Sequence, residues 1–108
     1  MNNPGLKLPL KALLLALLAL TGACETAPPV QEMSDARQAI AVAKEAGAAE
    51  TAAIHLKAAE IYLQNAEKKL NERQYSQARR DATQAKIKAL DALRATESVS
   101  ESTEDDGV

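Results

Sequence analysis

The chain has 108 residues, with 13 lysines and arginines against 15 aspartates and glutamates, a single cysteine, two tyrosines and neither tryptophan nor phenylalanine. The acidic balance argues against nucleic acid as a partner, and a lone cysteine excludes an internal disulfide. A chain of this size forms at most one small domain, and its core must be built from Ala, Leu, Ile and Val.

The N-terminal part of the chain contains a short apolar run that ends in small residues and the only cysteine. Residues 13–24 read LLLALLALTGAC, and Lys7 and Lys11 lie just before this run. This order of basic flank, apolar run and small residues is typical of a secretory signal peptide. The run is too short to span a membrane, which takes roughly 20 apolar residues. We therefore expect residues 1–23 to be a signal peptide.

The end of this run resembles the lipobox of bacterial lipoproteins, with residues 20–24 reading LTGAC. In that family the cysteine receives a thioether-linked diacylglycerol and the signal peptide is cut just before it. The resemblance implies a membrane anchor at Cys24. By the sorting rule of Gram-negative enterics, Glu25 in place of Asp implies the outer membrane, with the protein facing the periplasm. The alternative is a secreted protein cut near Ala23, with Cys24 as a free thiol.

The rest of the chain predicts an all-α fold. Residues 24–33 include Pro28 and Pro29 and predict an extended linker. Ser34 and Asp35 are good helix N-caps, and the following residues are almost all strong helix formers with no strand pattern. The helical domain is predicted over residues 34–95.

Three helices are expected in this domain. Apolar spacing predicts a short helix over residues 35–46, a second over 50–70 and a third over 76–95. Gly47 has two interpretations: it ends the first helix in a left-handed conformation, or it lets a second helix pack close. The two longer helices match in length and predict an antiparallel hairpin, similar to a tetratricopeptide helix pair. Residues 96–108 are acidic and predict a disordered tail.

The helical stripes consist mainly of alanine and other small or aliphatic residues. The stripe of the third helix is Ala78, Ala82, Ala85, Ala89 and either Ala92 or Leu93. In the second helix, Leu56, Ala59, Leu63, Ala66 and Leu70 form the stripe, which Ile54, Ala58 and Tyr62 are expected to widen. A hairpin with such small side chains buries little area, so apolar faces left over could pair with a second copy or with a partner helix.

The helical pattern resembles a family of small bacterial envelope lipoproteins, domain-of-unknown-function family 4398. Residues 35–48 read DARQAIAVAKEAGA and match the first helix of the family. The turn at the end of the second helix matches at Lys69, Leu70, Tyr75 and Ala78. The family commonly has Gly-Asp before the tyrosine, where this chain has Arg73 and Gln74. The resemblance covers residues 34–95 and implies the fold and the envelope location, but no activity.

No residue pattern predicts catalysis or cofactor binding. His55 is the only histidine and has no second His or Cys with which to form a metal site. The carboxylates of the helical region are expected on solvated faces, without the cleft that acid–base catalysis requires; they are Glu45, Glu50, Glu60, Glu67 and Glu72. We expect neither enzymatic activity nor a cofactor.

Five cations cluster around the turn after the second helix, and they are Lys68, Lys69, Arg73, Arg79 and Arg80. One interpretation is a contact with an anionic polymer such as peptidoglycan or lipopolysaccharide, or with an acidic protein. The other is that these side chains complement the dipole of the second helix and keep the protein soluble.

The sequence therefore predicts a lipid-anchored, non-catalytic helical adaptor or scaffold for envelope proteins or peptidoglycan. One alternative is a homo-oligomeric coiled-coil spacer between the outer membrane and the cell wall. Another is an accessory activator of an envelope hydrolase.

Overall fold

A computed structural model describes residues 9–21 and 27–106 of the chain, and all regular structure in these ranges is helical. The helices are α1 (Leu10–Thr21), α2 (Val30–Glu45), α3 (Ala48–Thr51), α4 (Ala53–Asn71) and α5 (Tyr75–Asp106). The predicted all-α class is confirmed. Among the described helices, none combines the length and the apolar character that a membrane crossing requires.

Helices α2, α4 and α5 form a bundle in which α5 packs against both of the others and α2 also contacts α4. At the turn, Lys69 Nζ lies 2.9 Å from Asp81 Oδ2. At the other end, the hydroxyl oxygens of Thr51 and Thr96 are 2.7 Å apart. Lys69 is near the end of α4 and Asp81 near the start of α5, while Thr51 lies just before α4 and Thr96 far along α5. This arrangement confirms that α4 and α5 form an antiparallel hairpin. The first long helix of the domain, α2, docks onto this hairpin, while α1 contacts no other helix in the described parts of the chain.

The centre of the bundle is the alanine stripe of α5, and all five of its alanines are fully buried. One core cluster joins this stripe to Ile40, Leu56 and Ala59, and a second joins Ala82 to Met33 and Ala66. Side chains this short allow helix axes to approach closely, but each removes little apolar surface from water. The bundle therefore depends on many small contacts.

Helix α2 begins five residues earlier than the sequence predicts, at Val30. The residue before it is Pro29, which is buried, and the Met33 N–H donates to the Pro29 carbonyl at 3.0 Å. Proline is tolerated at a helix start because the first N–H groups have no partner within the helix. Burial of Met33, only 2% exposed, ties this first turn to the core. Ser34 and Asp35 therefore lie inside the helix, and the predicted linker over 24–33 is too long.

The connection between α2 and α4 contains the predicted left-handed glycine. Gly47 has φ 93°, and the short helix α3 follows it directly. Ala52 then interrupts the helix with φ −143°, so the predicted second helix is divided and α4 starts at Ala53. Both Ala48 and Ala52 are buried, and α3 thus covers one end of the core.

The predicted disordered tail is wrong, because α5 continues to Asp106. Thr96 is 3% exposed, so the bundle extends beyond the predicted helix end at residue 95. Its hydroxyl contacts Thr51 Oγ1 and lies 2.9 Å from the Ala92 carbonyl. The later hydroxyls donate to carbonyls three or four residues back, so their hydrogen-bonding capacity is satisfied within the helix. These donors are Ser98, Ser100, Ser102 and Thr103.

Replacing Ala89 by Leu should destabilise the bundle by about 1–3 kcal/mol, because a fully buried alanine at a close helix contact leaves no room for a larger side chain. The matched control is Ala41→Leu on the exposed face of α2, which should change stability by less than about 0.5 kcal/mol. Urea denaturation followed by circular dichroism measures both. Equal stability of the two variants would contradict the close packing of α5.

Candidate interaction surfaces

The five cations predicted as an interaction patch do lie around the α4–α5 turn, but two of them have structural partners. Lys69 pairs with Asp81 at 2.9 Å; the carboxylate oxygen has no hydrogen bond of good geometry, so the contact is mainly electrostatic. Arg79 Nε donates to Glu32 Oε1 at 3.0 Å, and its Nη2 donates to the Ala27 carbonyl at 3.0 Å. Arg79 therefore holds the start of α2 against α5.

The other three cations, Lys68, Arg73 and Arg80, are exposed and form no ion pair within the part of the chain that the structure describes. We call these three residues the basic cluster. Glu72 is exposed beside them and is the one acid of this turn without a cationic partner in the described ranges. The basic cluster keeps an excess of positive charge, because Asp81 and Glu32 are already paired with Lys69 and Arg79.

Arg73 has an unusual backbone conformation, with φ 61°. Its N–H donates to the Leu70 carbonyl at 3.0 Å, and the Gln74 N–H donates to the Lys69 carbonyl at 2.8 Å. These two bonds form a Schellman motif, which ends α4 with a left-handed residue that is usually glycine. The C-cap of α4 is Glu72, and Asn71 is the last helical residue.

The turn that carries the basic cluster is also the end of the bundle at which the chain enters from its N-terminal part. Arg79 binds the carbonyl of Ala27. Only three peptide units separate Ala27 from Cys24, and each spans at most about 3.8 Å. Cys24 and Glu25 themselves lie outside the described residues, so the predicted anchor and sorting position stay predictions.

The outer face of α4 carries an exposed apolar surface that we call the isoleucine face. Ile54 is 85% exposed and Ile61 is 46% exposed, and with Ala53, Lys57 and Ala58 they line a shallow groove. The prediction that Ile54 widens the core stripe is wrong. Ile54 lies two residues from Leu56, which rotates it about 160° away from the core around the helix axis.

The charged residues of α4 are segregated around the helix. Glu60 pairs with Lys44 at 2.8 Å and Glu67 pairs with Arg37 at 3.1 Å, so both carboxylates face α2. Lys57 lies among the isoleucines instead and is exposed. The groove around Ile54 is therefore apolar with one positive charge, and the carboxylates of Glu60 and Glu67 lie in the adjoining groove that Lys57 and Ile61 form on the side of α2.

The structure also locates the alanine stripes and the remaining candidate residues. The alanine stripes are not a free pairing surface, because their members are buried inside the chain's own bundle. His55 is exposed, as are Glu45 and Glu50. Within the described ranges, no group of His, Cys, Asp and Glu residues is arranged to hold a metal ion.

Replacing Arg73 by Gly should stabilise the protein by about 0.5–1 kcal/mol, because glycine adopts positive φ without the steric cost that a side chain brings. Arg80→Gln on α5 is the control, with an expected change near zero. Thermal unfolding measures both. A destabilised Arg73→Gly variant would show that the Arg73 side chain contributes packing that outweighs its backbone strain.

The chain was compared with known families, curated proteins and solved structures. No curated protein and no solved structure matches it significantly. A family model described as Domain of unknown function (DUF4398) matches residues 31–107. This match covers α2 to α5 and includes the part of α5 that the sequence predicted to be disordered. Because it covers well over half of the sequence, the chain belongs to this domain family.

Proposed function

We propose that this protein is a lipid-anchored component of the Gram-negative cell envelope, attached to the outer membrane through Cys24 and facing the periplasm. In this proposal it is a non-catalytic helical adaptor. The lipobox-like residues 20–24 support the anchor, and Glu25 supports the outer membrane. The observation that carries the adaptor role is the isoleucine face, where Ile54 is 85% exposed on a regular helix.

The composition of the isoleucine face defines the partner that it fits. Exposed aliphatic side chains at positions i and i+7 of a helix are typical anchors for a second helix. Lys57 lies between the two isoleucines, while the acids of α4 are engaged with α2. A partner helix should therefore present an apolar stripe with acidic residues beside it. We propose an envelope protein with such a helix as the bound partner.

A homo-oligomeric spacer is the second candidate, and the length of α5 favours it. The helix has 32 residues and extends about 48 Å at 1.5 Å per residue. Because the alanine stripes are buried, copies would have to associate through another surface.

The adaptor proposal is tested by crosslinking in intact membranes, followed by affinity purification of the full chain. Replacing Ile54 and Ile61 by Ser should remove the crosslinked envelope protein, because the apolar contact area is lost. Ile87→Ser is the matched control, since Ile87 is 42% exposed on α5 and lies outside the isoleucine face. Loss of the partner in the control as well, or its retention in the double variant, would contradict the proposed surface. Crosslinks only between copies of the chain would favour the spacer.

The anchor is tested separately by labelling cells with a radioactive fatty acid. The wild-type chain should incorporate the label and sediment with the outer membrane, and Cys24→Ala should do neither. An unlabelled wild-type chain would contradict the anchor.

A further inference from the structure

The two ends of the bundle carry opposite exposed charge. The basic cluster lies at the α4–α5 turn, where Glu72 is its only acidic neighbour without a pair in the described ranges. At the other end, no Lys or Arg follows Arg94 in the sequence. The exposed acids of that end include Glu45 and Glu50 at and after the end of α2, and Glu97, Glu101, Glu104 and Asp105 on α5. The exposed charge of the bundle is therefore positive at one end and negative at the other, although the chain as a whole is acidic.

The positive end is also the end nearest to the predicted lipid. Arg79 fixes the Ala27 carbonyl to the start of α5, one residue before Arg80. Three peptide units then reach back to Cys24, a span of at most roughly 11 Å in any conformation. A lipid attached to Cys24 thus holds the basic cluster within reach of the headgroups, while the cell wall lies farther away.

We propose that Lys68, Arg73 and Arg80 bind the phosphate groups of anionic phospholipids beside the anchor and hold the bundle upright on the membrane. In the cell, this orienting contact rests on the proposed lipid anchor at Cys24. Arginine and lysine side chains form charge-assisted hydrogen bonds with phosphate, and an anionic lipid surface attracts such cations. Their role is to orient the domain, since the acyl chains of a lipoprotein already hold it on the membrane.

The negative end supports the upright orientation. Arg80 and Glu97 lie on the same helix, 17 residues and thus about 25 Å apart. The screening length at physiological salt is about 8 Å, so acids at that height do not sense the surface. If the rod lay flat, the same acids would come within the screening length of an anionic surface and be repelled. The positive end and the negative end therefore both favour an upright bundle with the basic cluster at the membrane surface.

The test uses a chain that begins at Cys24 and carries a single acyl chain on its thiol. Removing α1 keeps every bundle contact, because α1 contacts none of the other described helices. A single acyl chain gives only marginal, reversible membrane binding, so an added electrostatic contact is visible as a change in partitioning. Flotation measures partitioning onto phosphatidylcholine vesicles with or without phosphatidylglycerol at physiological salt.

We expect stronger partitioning onto the vesicles that contain phosphatidylglycerol. The double variant Arg73→Gly/Arg80→Gln should lower partitioning about 25-fold on these vesicles, at roughly fivefold per cation, and leave it unchanged on neutral ones. Unfolding does not explain such a loss, because glycine suits the backbone at position 73. The control double variant Lys57→Gln/Arg94→Gln removes the same charge away from the turn and should keep the binding.

Equal losses in the two double variants would overturn the proposal, because they would show an effect of net charge alone. Equal partitioning of the wild type onto neutral and anionic vesicles would also overturn it. A loss of binding to purified peptidoglycan in Arg73→Gly/Arg80→Gln, with vesicle binding unchanged, would assign the cluster to the cell wall. Fatty-acid labelling in cells reports on the anchor separately, so failure of the anchor and failure of the phosphate contact are distinguishable.

Discussion

The structure depends on the close approach that the alanine stripe of α5 allows. All five alanines of this stripe are fully buried, and α2 and α4 both pack against the same helix. A single long side chain on this stripe would separate the axes along the whole contact. Because each alanine gains little from burial, the bundle must be long and closed by a third helix. This explains why α2 begins as early as Val30 and brings Met33 into the core.

The same close packing determines which charges stay free. At the rim between α2 and α4, Lys44 pairs with Glu60 and Arg37 pairs with Glu67. Exposed ion pairs of this kind contribute at most about 1 kcal/mol each to the free energy of unfolding. Their larger effect is on the distribution of charge over the protein surface. They remove the acids of α4 from its outer side. The isoleucine face is left apolar and positive as a result of how α2 docks.

The sequence predicts the helices well because alanine spacing and strong helix formers agree along α2, α4 and α5, and it offers the left-handed stop as one interpretation of Gly47. Its failures have physical reasons. Apolar character alone placed Ile54 with the core, whereas its helical angle points it outward. Composition predicted a disordered tail, whereas the contact of Thr96 with Thr51 extends the bundle. The pairs of Lys69 and Arg79 depend on helix docking, which no local pattern shows.

The proposed lipid contact and the proposed protein contact use different parts of one rod, and this has a consequence for the partner. Ile61 and Ile54 lie 10 and 17 residues before Asn71, the last residue of α4, so the isoleucine face extends from about 15 Å to about 25 Å from the turn that carries the basic cluster. In an upright bundle the isoleucine face stands along the side of the rod, well above the headgroups. A partner that spans the same membrane would have to extend a helix that far into the periplasm to reach the isoleucine face. A protein bound to the cell wall would reach this face from the periplasmic side. The orientation therefore favours partners that approach from the periplasm over those confined to the bilayer.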